Sequence, residues 1–279
     1  MTNQEEGVVL PPRKNKQPQQ KPSPKKQAQF ELFKACQARG DMVFDNSLVG
    51  EICDSIGFRN KFDVTKIDGS STIAPEVIEA GYCIVHLGEG QHKFVRAAPQ
   101  WFHKFEKINS PEIIWPYRKS VLNETDTSES NILSVGFNQR IIHDFLYEDI
   151  IASPKMYGAR RTKFNGSYNI NGETYEFNKL QMEIDLTTEY LGNVTIFEGK
   201  NKFQEDFAVY QLFHPFILFH QLQKTEKITG VKEINCCFLS RHVENEDSVL
   251  RLYLYTFEDP KEITSLALVK KAQYRLTNR

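Results

Sequence analysis

The chain has 279 residues, of which 25% are charged and 40% hydrophobic, and its formal net charge is −1. These values are ordinary for a globular protein, and the length allows two domains with cores of their own. No stretch approaches the ~20 apolar residues of a membrane span, and the first residues do not open a secretory signal. The five cysteines form no CxxC pair, so we expect a cytoplasmic protein with no membrane partner.

Positive charge is concentrated near the N-terminus. Between Val8 and Gln27 the chain has six Lys or Arg residues and no acid, interspersed with prolines and glutamines. Such a composition cannot bury a core, so we predict a disordered basic tail over 1–27. Contact with phosphates and a solvated tail without a partner are equally consistent with this composition.

Residues 28–100 are predicted to form a winged-helix-like domain. Apolar residues recur at helical spacing over 29–38 and 47–56, and a hairpin is predicted around Gly88-Glu-Gly90. Helices followed by a hairpin are typical of winged-helix DNA-binding domains, although such modules also mediate dimerisation or packing. In the DNA-binding interpretation, the residues near the nucleic acid are Arg59, Asn60, Lys61 and Lys66.

The next segment, 101–125, is predicted to be an aromatic connector. It contains Trp101, Phe102, Phe105, Trp115 and Tyr117. Aromatic side chains bury large apolar areas, so we expect them to pack the flanking parts together. A stacking platform for bases is the alternative.

Residues 126–279 show helical and strand-like segments in turn. The predicted elements are a helix over Ser128–Leu146, a hairpin of strands 161–170 and 174–186, a helix over Gln204–Leu222, and strands 231–240 and 249–257. The hairpin prediction depends on Asn171-Gly172, a strong two-residue turn signal. Pro215 is expected to bend the second helix, because proline lacks the amide hydrogen that the helix needs.

Two acids and a lysine stand at the ends of two predicted strands. Lys179–Leu186 alternates polar and apolar residues, and a turn at Leu191-Gly-Asn leads into a second, apolar strand. Side chains alternate along a strand, so Glu198 and Lys200 point the same way. We expect the hairpin to bring Asp185 beside them.

This combination suits metal-assisted hydrolysis of a phosphodiester. Mg²⁺ prefers oxygen ligands and commonly binds through one or two carboxylates together with substrate phosphate. Asp185, Glu198 and the Gly199 carbonyl could supply these oxygens. Lys200 could orient a water or offset charge that develops on phosphorus. Glycine at position 199 is expected to leave room for substrate backbone.

The same residues resemble the signature Pro-Asp…(Asp/Glu)-x-Lys of the restriction-endonuclease-like nuclease superfamily, over roughly 125–260. By this resemblance Asp185 fills the first acidic position, Glu198 the second and Lys200 the lysine. Ile184 replaces the proline, which leaves Glu183 as a rival metal ligand. Some members also carry a metal-site glutamate on the first helix, where this chain has Glu129.

The resemblance implies an α/β (α+β) fold, with a restriction-endonuclease-like core of a mixed sheet flanked by helices over 126–279. It further implies Mg²⁺ as cofactor, double-stranded DNA as substrate, 5′-phosphate products and a homodimer. A small nuclease with an added recognition domain is typical of a Type II restriction enzyme, which acts beside a protective DNA methyltransferase. Further candidate DNA contacts are Arg160, Arg161, Lys163 and Lys202.

Two alternative functions stay open. One is a repair or recombination nuclease of the same fold, which would act on branched or damaged DNA. The other is a winged-helix DNA-binding regulator whose nuclease-like domain is inactive. The motifs HExxH, GxSxG and GxxxxGK[ST] are absent from the sequence, which excludes the zinc-protease, serine-hydrolase and P-loop classes that they identify.

Overall fold

The computed structural model describes residues 23–118, 120–121, 128–244 and 247–278. The predicted basic tail, 1–27, lies outside these ranges up to residue 22. Its last residues belong to helix α1, Pro24–Arg39, which is capped by the Ser23 hydroxyl. The predicted boundary at residue 27 is therefore wrong, because a serine N-cap followed by proline begins a helix.

We call residues 23–97, all of which the structure describes, the N-terminal module. After α1 it contains β1 Val43–Asp45, α2 Asn46–Ile56, α3 Pro75–Glu79, β2 Cys83–Gly88 and β3 Gln91–Val95. The three strands form an antiparallel sheet in the order β1-β3-β2. Helices and sheet share an apolar core that includes Leu32, Val49 and Phe94. The predicted hairpin around Gly88-Glu-Gly90 is present.

The rest of the described chain supplies four helices and eleven strands. The helices are α4 Ala98–Trp101, α5 Glu129–Asn138, α6 Ile141–Tyr147 and α7 Tyr210–Lys224. The strands are β4 Phe102–Lys104, β5 Ile113–Tyr117, β6 Lys155–Tyr157, β7 Arg160–Ile170, β8 Glu173–Ile184, β9 Leu186–Tyr190, β10 Asn193–Lys200, β11 Asp206–Ala208, β12 Glu233–Glu244, β13 Asp247–Phe257 and β14 Leu266–Asn278.

A mixed seven-stranded sheet organises this part of the chain. Its order among the described residues is β5-β14-β13-β12-β10-β9-β6. Strands β10 and β12 run parallel, as do β14 and β5, and the other neighbours are antiparallel. Helix α7 makes the crossover between β10 and β12, since parallel neighbours cannot be joined by a tight turn.

Helices cover both faces of this sheet. Helices α5 and α6 pack on the face that carries Phe197 and Cys237, and α7 packs on the face that carries Ile196 and Cys236. Adjacent strand residues point to opposite faces, so Cys236 and Cys237 lie on opposite sides of the sheet. The protein is thus a mixed α/β protein with a large mixed sheet flanked by helices.

Strands β7 and β8 form a separate two-stranded hairpin, which we call the arm. Asn171 and Gly172 make its turn with positive φ angles of 53° and 81°, as the sequence predicts. One face of the arm is apolar and buried in the core beside α7, through residues such as Tyr168 and Phe177. The other face is exposed and polar.

Two predicted helices differ from the structure. The segment predicted as one helix over Ser128–Leu146 forms α5 and α6, separated at Arg140, which has a φ of 64°. The helix predicted from Gln204 begins only at Tyr210, because 206–208 pair as a strand with β4. Helix α7 also continues through Pro215 without a break.

The N-terminal module shares its packing with the rest of the molecule. Val85 and Val95 of its hairpin lie in the core of the main sheet, whereas Ile84 and Phe94 lie in the module's own core. Trp101 of the predicted connector is buried here too, and it stacks on Tyr210 with ring centroids 5.6 Å apart. Among the described residues no helix is long and apolar enough to cross a membrane.

Candidate active site

The structure brings Asp185, Glu198 and Lys200 together at one end of the main sheet. Asp185 lies at the break between β8 and β9, and its Oδ2 accepts a hydrogen bond from the Gly199 N–H at 3.0 Å. Glu198 and Lys200 lie on the same face of β10, with Lys200 Nζ 2.7 Å from Glu198 Oε1. Both side chains are largely buried, with 14% and 7% of their surface exposed.

Helix α5 adds a third carboxylate to this cluster. Glu129, the first residue of α5, has Oε1 3.3 Å from Lys200 Nζ. Gly199 permits this approach, because a Cβ atom there would lie 3.1 Å from the Glu129 carbonyl oxygen. The space that the sequence analysis assigned to substrate backbone is therefore occupied by α5, and that prediction is wrong.

Gln211 and Asp68 also belong to this cluster, although no sequence motif predicts them. The Gln211 side chain of α7 donates from Nε2 to Glu198 Oε1 at 3.0 Å and to Asp68 Oδ1 at 3.2 Å. Asp68 belongs to the N-terminal module, 143 residues away in the chain. Contacts at this separation leave no local signal, since periodicity and turn motifs report only on neighbours in sequence.

The cluster carries an excess of negative charge. Asp68, Glu129, Asp185 and Glu198 surround Lys200, and burial together with Asp185 raises the pKa of Glu198 to about 7, against the opposing effect of Lys200. Burial also raises the pKa of Asp185, although the Gly199 N–H partly offsets this. Burial alone lowers the pKa of Lys200, but the charges of Glu198 and Glu129 reverse this and raise it, so Lys200 is a cation at neutral pH.

The donor set fits a hard divalent cation such as Mg²⁺. Covered charges in proteins are paired or coordinate metals, and Lys200, which pairs with Glu198 and the partly exposed Glu129, leaves Asp185 without an ion-pair partner among the described residues. The N–H and C=O groups of a strand residue leave on the same side, so the Gly199 carbonyl faces Asp185. No group of three or more His, Cys, Asp or Glu side chains in the described chain is arranged as a metal site; the predicted set needs only two carboxylates and this carbonyl.

Glu183, the rival ligand, lines the same cleft but is paired with an arginine. Its carboxylate pairs with Arg161 at 3.2 Å, and half of its side chain is exposed. The regular strand ends at Ile184, so the alternation of side chains does not extend from Glu183 to Asp185. Among the predicted metal-binding groups, Gly199 is buried and Asp185 and Glu198 are partly buried, whereas Glu183 is exposed.

The site lies at the bottom of a cleft of about 840 Å³ between the N-terminal module and the arm. Of the predicted DNA contacts, Lys66 and Lys163 line this cleft from opposite walls. Lys179 lines it too and was missed; its ammonium contacts Glu89 at 2.7 Å.

The other predicted contacts do not line the cleft. Lys61 pairs with Asp54, Arg160 lies over the Phe219 ring and Arg161 pairs with Glu183. Arg59, Asn60 and Lys202 are exposed outside the lining. Clustering in sequence therefore identified Lys66 and Lys163 but also residues outside the cleft, because each wall is built by a different part of the chain.

Three histidines are buried around Tyr210 in the cleft wall. His86 Nδ1 lies 2.9 Å from His92 Nδ1, and His92 Nε2 lies 3.1 Å from Asn46 Oδ1. His214 has no partner in the described chain for its buried Nε2. Burial lowers the pKa of His86 to about 4 and the pKa values of His92 and His214 to about 3.

These shifts predict loss of stability in mild acid. Between pH 6.5 and the lowered values the unfolded chain binds protons that the folded chain cannot, so unfolding becomes easier as pH falls. Each histidine contributes about 2 kcal/mol of this loss by pH 5. His214→Phe, which suits the aromatic surroundings, is expected to reduce the loss by that amount, measured as urea-unfolding free energy at pH 7 and pH 5.

The exposed His242 supplies the control. His242→Gln should unfold with the pH dependence of the unmodified protein. If His214→Phe also leaves that dependence unchanged, His214 is not held neutral in the folded state and the prediction is contradicted.

Residues 98–275 match the model of DUF6997, a domain of unknown function. The chain belongs to the DUF6997 family. This DUF6997 region runs from α4 into β14 and contains Glu129, Asp185, Glu198, Lys200 and Gln211. It leaves out Asp68 and the rest of the module's cleft wall. Comparison with the curated proteins finds no match, and comparison with the solved structures finds none either.

Proposed function

We propose that this protein is a Mg²⁺-dependent nuclease that hydrolyses DNA phosphodiesters. The observation that carries the proposal is the cluster of partly buried Asp185, Glu198 and Glu129 around the buried Lys200 in an open cleft. Perturbed acids that gather round one cation in a cleft are typical of a catalytic site. A structural ion pair needs no surplus of carboxylates.

The chain topology supports the same proposal. The resemblance noted above implies a core of one helix, three antiparallel strands, a helix and a further strand. In this chain α5 is followed by the antiparallel strands β6, β9 and β10, then by α7 and β12. The arm is then an insertion between β6 and β9 rather than part of that core.

The residues of this chain have distinct roles in such a reaction. Bound Mg²⁺ supplies polarisation of the phosphate and acidification of a water. Asp185, fixed by the Gly199 N–H, and Glu198, held by Gln211, would hold the cation together with the Gly199 carbonyl. Lys200 keeps its proton at neutral pH, so it stabilises charge on the phosphate oxygens rather than accepting a proton.

The N-terminal module fits a winged-helix-like arrangement only in part. Its helices and its β1-β3-β2 sheet agree with the predicted order of elements. The hairpin turn packs on the arm, however, where Glu89 contacts Asn178 and Lys179. The exposed side chains of the short helix α3 include two acids, Glu76 and Glu79. The module therefore supports a role as cleft wall better than a role in reading a DNA groove.

The finer functions remain proposals of unequal support. Site-specific Type II cleavage of double-stranded DNA as a homodimer, beside a cognate methyltransferase, rests on the resemblance alone. The assembled charge cluster favours a nuclease over an inactive regulator. The repair or recombination alternative gains support from the shape of the cleft, which bears on the substrate.

A cleavage assay tests the proposed function. Purified protein is incubated with supercoiled plasmid and with single-stranded circular DNA, in MgCl₂ or in EDTA. We expect nicked, linear or fragmented DNA in MgCl₂ and intact DNA in EDTA, because the carboxylates need the cation to bring phosphate close. Folded protein that cuts neither substrate in Mg²⁺ or Mn²⁺ contradicts the proposal.

A further inference from the structure

The catalytic groups lie deep in the cleft above the candidate active site. Its volume is about 840 Å³. The side chains of Glu198 and Lys200 line it and are almost covered, with 14% and 7% of their surface exposed. A DNA duplex is stiff, with a persistence length of about 50 nm. A flexible single strand therefore brings a phosphate to these covered groups more easily than a duplex does.

Direct contacts between the N-terminal module and the rest of the chain fix the width of the cleft. At its base, Gln211 joins Asp68 of the module to Glu198. Towards the arm, Glu89 accepts hydrogen bonds from Asn178 and Lys179 at 3.0 and 2.7 Å. Opening the cleft for a duplex would break contacts on both sides.

The charge of the cleft also suits a short strand. Six acidic side chains line it against four lysines and no arginine. Affinity for duplex DNA comes mainly from phosphate contacts, and six to ten of them are common. Apart from Lys200, the lysines are Lys66, Lys163 and Lys179. Three phosphate contacts suit a short DNA segment that is also held through its bases.

Phe62 supplies another means of holding a strand. It lies in a short turn, Lys61–Asp63, with 84% of its surface exposed, and it lines the cleft. An exposed aromatic ring beside lysines is how proteins bind single strands, because every base has a face that can stack. A base that is paired and stacked within a duplex would offer no free face to the Phe62 ring.

We propose that the cleft binds single-stranded DNA, such as a free strand or a single-stranded arm of a branched substrate, with Phe62 stacking on a base. The expectation that the bound strand is also cut rests on the proposed nuclease function. The binding itself does not depend on that function. Phe62 sets which DNA binds, and the carboxylate cluster cuts it.

Binding and cleavage of matched oligonucleotides test the inference separately. Fluorescent DNA of one sequence is prepared as a single strand, a blunt duplex and a duplex with a single-stranded arm. Anisotropy in CaCl₂, whose cation also takes carboxylate and phosphate oxygens, measures binding, and gels in CaCl₂ and in MgCl₂ measure cutting. We expect the single strand and the arm to bind at least tenfold more tightly than the blunt duplex, and cuts to fall in unpaired DNA.

Phe62→Ala is expected to weaken single-strand binding roughly tenfold, which matches the loss of one stacked base. Phe62→Trp should restore it, because tryptophan keeps the stacking face. Tyr157→Ala removes an aromatic residue that is 54% exposed outside the cleft lining, and it should bind as the unmodified protein does.

The outcomes distinguish the two proposals. Equal or tighter binding of the blunt duplex, or unchanged binding by Phe62→Ala, overturns the single-strand inference even if the protein cuts DNA. Selective, Phe62-dependent binding without any cleavage in Mg²⁺ or Mn²⁺ upholds the inference and contradicts the nuclease function.

Discussion

Lys200→Met is expected to reduce Mg²⁺-dependent cleavage by about 100-fold or more, in line with the removal of one charge-stabilising donor. The same change is expected to lower the free energy of unfolding by about 3 kcal/mol, because it leaves buried carboxylates without their cation. Lys200 lies within 2.7 Å of Glu198 and 3.3 Å of Glu129. Methionine keeps the length of the side chain, so the loss reports the charge.

The stability deficit should depend on pH in a defined direction. Glu198 already has a pKa of about 7, and without Lys200 that pKa rises further. A folded-state pKa above the unfolded one means that the folded chain holds the proton longer, so stability falls as pH rises through this range. Lys200→Met should therefore be most destabilised near pH 8 and least near pH 5, as measured by urea unfolding.

Glu198→Gln is the matched variant. It should also lose cleavage, because one of the two predicted metal-binding carboxylates is gone. Lys200 keeps Glu129 as a partner, and a buried acid with a raised pKa disappears. Its stability above pH 7 should equal or exceed that of the unmodified protein. Equal destabilisation by both variants would contradict the surplus of negative charge, and cleavage by Lys200→Met at full rate would contradict its catalytic role.

The candidate site was predictable from sequence where its geometry is local. Glu198 and Lys200 share a face because alternation along one strand requires it. Asp185 reaches them because the turn at Leu191 and Gly192 folds β9 back on β10, both residues having positive φ. The resemblance also pointed to Glu129 at the start of the first helix. These inferences needed only a few residues on either side.

The rest of the site depends on contacts between distant segments. Asp68 reaches Gln211 because the loop before α3 packs against β11, where Asp206 accepts from the Ser70 hydroxyl and the Ala208 N–H donates to the Asp68 carbonyl. The same packing turns 206–208 into a strand that helical periodicity alone assigned to α7. Tertiary pairing therefore overrode the local pattern at this point of the fold.

The place of the arm was unpredictable for a similar reason. Its turn and strands follow from local signals, yet nothing in those signals says whether a hairpin joins the main sheet. The three-residue strand β6 takes the edge position instead, with Met156 opposite Thr188 of β9. The arm is thereby free to form a wall of the cleft and to contact the N-terminal module.

Gly88→Ala is expected to detach this module from the arm. A Cβ atom at Gly88 would lie 1.8 Å from the backbone oxygen of Asn178, and the φ of Gly88 is 84°. Neither backbone can yield without losing the contacts of Glu89 with Asn178 and Lys179. We expect the free energy of unfolding to fall by about 4 kcal/mol, which is the range of severe backbone and packing defects.

Gly40→Ala separates the clash from the backbone strain. Gly40 caps α1 with a φ of 69°, and nothing lies within 4 Å of a Cβ built there. It should cost only about 1–2 kcal/mol, the penalty for a left-handed conformation. Urea unfolding of both variants gives the difference. Gly88→Ala should also lose single-strand binding, since both walls of the cleft must stay in place, whereas Gly40→Ala should keep it. Equal stability losses in the two variants would show that the module does not depend on this contact.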